Sequence, residues 1–345
     1  MLSSSRKPVN NLSPIAGLKW QDLVRLRRTE VALNLSLSAP WLAGSLWAAQ
    51  QDLYWLAAPC SAAFFLTALR QAHDTYHASI GVPRRWLDPI LLALTLMMLC
   101  STHAIRHTHL VHHQGPLGDG DAEGGWARLP AWKALALGIL FSIRTHAQAL
   151  RSGSPRTRGW VHAELALIAA VWLAALVSDI TWLRYHVAAM IASNALVGFF
   201  AVWSVHHGCD EKGVFARTER RVWTNRLTVN LLYHVEHHLF PAVPCNHLPE
   251  LALRLDAVAP EWTEKRVLSM ELALPNHSPL PSPKAPPQTP GELISAPFPS
   301  SHPPQFRPAR APSNRPRWPS GAGSRFSPIR LHSRALRTPV RRVPA

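Results

Sequence analysis

Apolar residues gather in long runs before about residue 206, separated by short polar stretches. Four runs, at 31–49, 52–70, 161–179 and 184–205, approach the roughly 20 residues that a helix needs to cross the hydrocarbon core. Only Gln50-Gln51-Asp52 separates the first two, and Ser178 to Leu183 the last two. The pattern therefore predicts two transmembrane helical hairpins. The first run is the most polar, with Asn34, Ser36, Ser38 and Pro40 inside it. A fifth run, Leu87 to Cys100, is shorter and is predicted to be a re-entrant or interfacial helix that dips and returns. The segment 132–150 is interrupted by Lys133, Arg144 and His146 and is predicted to lie in the interface. The fold class expected is an all-α integral membrane protein.

Histidine marks the ends of these runs. The clusters are His73-Asp74-Thr75-Tyr76-His77, His109-Leu110-Val111-His112-His113 and His234-Val235-Glu236-His237-His238. Positions i, i+3 and i+4 share a helix face, so each cluster is expected to aim its imidazoles at one point. Eight converging nitrogens are twice what a structural zinc takes, and such sites usually include Cys. More than one metal is the expectation, and all-nitrogen ligation with an open position suits iron that binds oxygen. A crossing at Leu87–Cys100 would strand the first cluster about 30 Å from the second, which is why that run is predicted to return.

Charge sharpens the topology. Arg25, Arg27, Arg28, Arg70, Arg84, Arg85, Arg106, Arg217, Arg220, Arg221 and Arg226 fall on the histidine side of the hairpins, and only Arg184 on the other. The histidine side is thus predicted to be cytoplasmic, in a multi-pass membrane protein. Trp41, Trp47, Trp55, Trp86, Trp160, Trp182 and Trp203 lie at run ends, as interfacial Trp does. Of the formal net charge of +16, residues 276–345 carry +10. That tail is rich in Pro, Ser and Arg and is expected to be disordered. Removing it leaves a mildly basic membrane domain and no case for nucleic-acid binding. The division expected is a polar basic segment 1–30, a membrane domain 31–275 and the tail 276–345. Cys60, Cys100, Cys209 and Cys245 form no CxxC and suggest no disulfide framework.

HDTYH, HLVHH and the run HVEHHLFPAVPCNHLPEL resemble the three histidine boxes of the membrane fatty acid desaturase superfamily, over roughly residues 30–260. The resemblance implies two Fe ions in a cytoplasmic di-iron cap, O2 as co-substrate and a membrane lipid as substrate. No haem-binding segment is visible, so electrons are expected from a separate donor such as ferredoxin. Carried over position by position, the implied iron ligands are His73, His77, His109, His112, His113, His234, His237 and His238. A further ligand near the end of the last span falls on Trp203-Ser204-Val205-His206-His207, with His207 preferred and His206 its rival. Asp74 and Glu236 are candidates to accept the free N–H of a ligand imidazole. The stretch Gly118 to Gly124, with Asp119, Asp121 and Glu123, reads equally as such a partner or as an ordinary loop turn. His103 and His107 are surplus to the box, while His146, His162, His186 and His247 read as structural or interfacial.

The expected activity is introduction of a double bond into an acyl chain of a membrane lipid. The five-residue first box points to an acyl-lipid type or to the carotenoid-modifying branch, and its His-Asp start is shared with carotenoid ring hydroxylases and ketolases, which stand as the alternative. A non-catalytic membrane metal-binding protein, such as a zinc transporter, is the rival from another class. Ligands at helix ends rather than at mid-membrane depth argue against transport.

Overall fold

The computed structural model of the protein describes Ile15, residues 17–209 and residues 214–267. The tail expected to be disordered, 276–345, lies outside the described residues, as does the segment 1–14. The described residues form no strand, only an isolated parallel bridge between Thr218 and Arg266. The helices are α1 (Arg28–Ser36), α2 (Ala39–Gln50), α3 (Tyr54–Tyr76), α4 (Leu87–Met98), α5 (Thr102–Gln114), α6 (Gly124–Ala127) and α7 (Ala131–Ala136). They continue with α8 (Gly138–Ser152), α9 (Pro155–Val177), α10 (Thr181–Val197), α11 (Ser204–His206), α12 (Val222–Leu227), α13 (His234–Leu239) and α14 (Leu248–Val258).

Among the described residues, two helical segments are long and apolar enough to cross a membrane, Pro155–Val177 and Thr181–His206. They correspond to the expected second hairpin. Ser154 opens α9 by accepting the Thr157 N–H at 3.1 Å, and Pro155 follows at the first helical position, where its missing N–H costs nothing. The second segment joins α10 to α11 through a π-helical stretch, Gly198–Trp203.

The first hairpin departs from expectation. The run 31–49 breaks at Leu37-Ser38 into α1 and α2, because Pro40 has no N–H to extend α1. With 12 residues, α2 is about 18 Å long, too short to cross. α3 has 23 residues, but its last third buries Arg70, Gln71 and Asp74. Small residues let α2 and α3 approach closely: Ser45 and Ser61 share a hydrogen bond of 2.6 Å, and Gly44 faces the Cys60 thiol. Between α8 and α10 the approach is tighter still. A Cβ added at Gly138 would sit 1.7 Å from the Ala195 carbonyl oxygen.

The run Leu87–Cys100 behaves as expected. α4 ends at Leu99 in the left-handed conformation (φ 51°), and the axis turns by 112° into α5. Glu164 of α9, fully buried, fastens this corner. Its carboxylate accepts from Thr95 Oγ1 at 2.7 Å, Ser101 Oγ at 2.5 Å and the His103 backbone N–H at 3.2 Å. An acid in a membrane-crossing helix needs such partners to offset its desolvation. The corner returns α5 toward the end of α3, so both carry their histidines to the same place.

Beyond the second hairpin, α13 and α14 form a cap around Tyr233, Val235, Leu248, Leu251 and Leu255. Leu18 and Leu23 pack into this core, so the described residues around them are part of the cap.

Candidate metal centre

Nine imidazoles from α3, α5, α11 and α13 converge on one region. In the first group, His73, His77, His109 and His237 place their ring nitrogens within 4.8 Å of one another. Nε2 of His73 lies 2.9 Å from Nε2 of His237, and Nε2 of His77 lies 3.0 Å from that of His109. In the second group, His112, His206, His234 and His238 do the same. Here the Nε2 separations are 3.1 Å for His112–His206, 3.2 Å for His112–His238 and 2.9 Å for His206–His234. His113 bridges the groups, with Nε2 2.9 Å from that of His237 and its ring stacked 4.2 Å from that of His238.

Each HxxHH box is thus divided between two centres instead of aimed at one. The reason is helical rotation. Neighbouring residues differ by about 100° around the axis, so His237 and His238, or His112 and His113, cannot face the same point. His234 and His238, one turn apart, stay together.

The preference for His207 is corrected by the geometry. His206 reaches the second group, whereas His207 stacks on Trp203 at 4.2 Å and its Nδ1 faces the Ala127 carbonyl at 3.3 Å. His206 is the last residue of α11, whereas His207 has already left the helix with an extended backbone (ψ 133°), so the two neighbouring rings go to different partners.

The outer nitrogens have their own partners. Asp121 Oδ2 takes the His112 Nδ1–H at 2.6 Å and is itself fixed by the Leu117 N–H at 2.9 Å. Glu123 Oε2 lies 3.2 Å from His109 Nδ1, and Thr108 donates to the same carboxyl. The Phe215 carbonyl takes the His206 Nδ1–H at 2.8 Å. The acidic stretch after box two therefore partners the histidines, a role that local turn chemistry alone did not reveal. Asp74 is a looser partner, 3.6 Å from His73 Nδ1, and receives the Cys245 N–H. Glu236 does not serve an imidazole; it accepts from Thr218 at 2.7 Å and pairs with Arg220, tying α13 to the 217–220 loop. His103 goes to Glu164 and His107 to Ser152, away from both groups. His146, His186 and His247 bond to Ser101, Met97 and Leu23 of the scaffold, and His162 is exposed.

The electrostatics fit a metal. Burial, followed by the neighbouring imidazoles, holds His234, His237 and His238 well below the usual histidine range, so they stay neutral. Burial also raises the Glu123 carboxyl to about 7. For Asp121 burial pushes upward, but the hydrogen bond and charge of His112 together with the Gly124 and Leu117 N–H groups outweigh it, and the acid ends below its ordinary value. A neutral imidazole has one N–H. Against burial, the Asp121 hydrogen bond and the charges of Glu123 and Asp121 hold His112 above the usual histidine range. With the Nδ1–H of His112 and of His206 committed to Asp121 and Phe215, loss of the His112 Nε2 proton turns two lone pairs toward each other at 3.1 Å. Two buried acceptors in contact repel. A cation between them converts that repulsion into ligation, and the outer partners fix the tautomer that ligation needs.

An apolar cavity of ≈ 580 Å³ adjoins both groups. Its lining includes His73, His109, His112 and His234 together with Phe65, Leu69 and Phe199. A second cavity, of ≈ 510 Å³, shares Tyr76 with the first and is lined by His77, Asp88, Arg84, Arg106 and Arg156.

No curated protein matches the chain. Residues 53–266, which hold all three boxes, both candidate spans, α13 and α14, match the family model described as "Fatty acid desaturase". With that match over most of its length, the chain belongs to the fatty acid desaturase family, a membrane family of oxidoreductases.

Proposed function

We propose that the protein is an oxygen-dependent di-iron desaturase that introduces a double bond into an acyl chain of a membrane lipid. The observation that carries this reading is the paired set of inward lone pairs, two groups of Nε2 atoms about 3 Å apart, opening on an apolar cavity. A pair of irons held there supplies the oxygen-dependent removal of hydrogen from an unactivated methylene. His73, His77, His109 and His237 would hold one metal and His112, His206, His234 and His238 the other, with His113 between them.

The chain's own residues then have separable tasks. Asp121, Glu123 and the Phe215 carbonyl keep the protons of His112, His109 and His206 on Nδ1, leaving Nε2 free. Phe65, Leu69, Ile105 and Phe199 make the cavity dry and suited to a hydrocarbon tail. The basic cavity across Tyr76 favours an amphiphile with an anionic head over an uncharged carotenoid. The excess of arginine on the histidine side supports a cytoplasmic site. Electrons would come from a separate carrier such as ferredoxin.

The test is mass spectrometry of lipids and pigments from cells making the protein or its His112→Ala variant. New unsaturation in membrane acyl chains, lost in the variant, is the expected result. Oxygenated carotenoids with unaltered acyl chains would replace this reading with ring oxygenation.

A further inference from the structure

α12 turns its apolar side chains outward. Val222, Trp223 and Leu227 are 56%, 73% and 74% exposed, while Asn225 on the other side is buried and bonded to the Glu219 carbonyl. The Arg226 guanidinium lies 5.4 Å over the Trp223 ring. Tryptophan, aliphatic side chains and a folded-back arginine on one short helix form the pattern of a membrane interface.

The position of α12 names what covers it. Thr224 and Thr228 line the apolar cavity together with Leu196, Phe200 and Ser204. Those three belong to the last turns of the candidate span Thr181–His206, so α12 borders the same cavity as the end of a candidate membrane crossing. α7, which packs on the same π-helical turn, repeats the pattern: Trp132 is 67% exposed, with Lys133 Nζ 5.3 Å over its ring. Leu196 and Phe200, one turn apart, add a second observation. They are 41% and 59% exposed, yet both line the cavity. Residues of a spanning helix that face outward and inward at once mark a gap in the wall between lipid and cavity.

We propose that α12 is seated in the lipid interface, with Val222, Trp223 and Leu227 among acyl chains. There it forms the sill of a sideways opening by which a lipid tail passes Leu196 and Phe200 into the cavity. The seating stands on exposure and position alone; the opening rests on the reading of the cavity as a lipid-tail site.

Photolabelling of the full-length protein in vesicles of phosphatidylcholine and phosphatidylglycerol tests both parts. Two diazirine-bearing phosphatidylcholines are used, one with the reactive group near the glycerol and one with it at the chain end, and adducts are mapped by peptide mass spectrometry. Leu176, 78% exposed at the end of the other candidate span, is the lipid-facing control. The first probe should mark residues 222–227 as strongly as Leu176. The second should mark Leu196 and Phe200 and reach Phe65 and Leu69 inside. Phe200→Trp should lose the inner adducts and keep those on α12, which also reports that the variant is folded. A labelled Leu176 with an unlabelled α12 overturns the seating. A labelled α12 with Phe65 and Leu69 never reached overturns the opening. Neither readout uses bound metal or turnover, so failure of the desaturase reading would show separately.

Discussion

The second histidine group is braced from behind more firmly than the first. Asp121 holds His112 Nδ1 at 2.6 Å and the Phe215 carbonyl holds His206 Nδ1 at 2.8 Å. In the first group Glu123 stands 3.2 Å from His109, and His73 has only Asp74 at 3.6 Å and the Cys245 thiol at 3.7 Å. A short bond from an ionised acceptor fixes the imidazole plane and raises its basicity, so the better-braced set should keep its metal longer. The contrast teaches that two centres built from one duplicated box need not be equivalent. The difference comes from the loop after α5 and from the carbonyl facing α11, outside the boxes themselves.

The largest expected effect is at the disputed ligand. His206→Ala should remove one bound metal, seen by elemental analysis, and cut turnover by more than about 100-fold. His207→Ala should leave metal content unchanged, and a metal loss there instead would reverse the assignment. Asp121→Asn should weaken binding at the second group by roughly 10–100-fold in a chelator competition. Glu123→Gln should weaken the first group by no more than about tenfold, because its bond is longer and its carboxyl is closer to neutral. Equal losses in those two variants would erase the contrast. The smallest effect is expected for Cys245→Ser, which keeps a polar group near His73 and should only broaden the spectroscopic signature of the first group.

Much of this arrangement was legible in the residue pattern. The runs 161–179 and 184–205 anticipate α9 and the segment 181–206, and the shortness of Leu87–Cys100 anticipates the corner at Leu99. The boxes name every imidazole of the two groups except His206. What the pattern could not reveal depends on geometry that spacing does not encode. Pro40 split the first run by removing one hydrogen-bond donor. The chain leaves the helix at His207, whose backbone is extended (ψ 133°), so His206 at the end of α11 reaches the group and its neighbour does not. The division of each box follows from rotation between adjacent residues, visible only once the partner helices are placed. Asp121 and Glu123 sit in a loop whose composition fits a simple turn, and only the fold brings them under α5. Glu236, inside a box, looked like an imidazole partner, yet Arg220 and Thr218 claim it.

The central claim is that the facing lone pairs of these imidazoles hold a pair of metal ions. Elemental analysis of protein purified from iron-supplied cells, paired with Mössbauer spectroscopy, tests it most directly. The account predicts about two irons per chain in nitrogen-rich sites, with the second retained longer under chelation. A single equivalent after full iron loading, or zinc in both sites with no oxygen consumption, would contradict it.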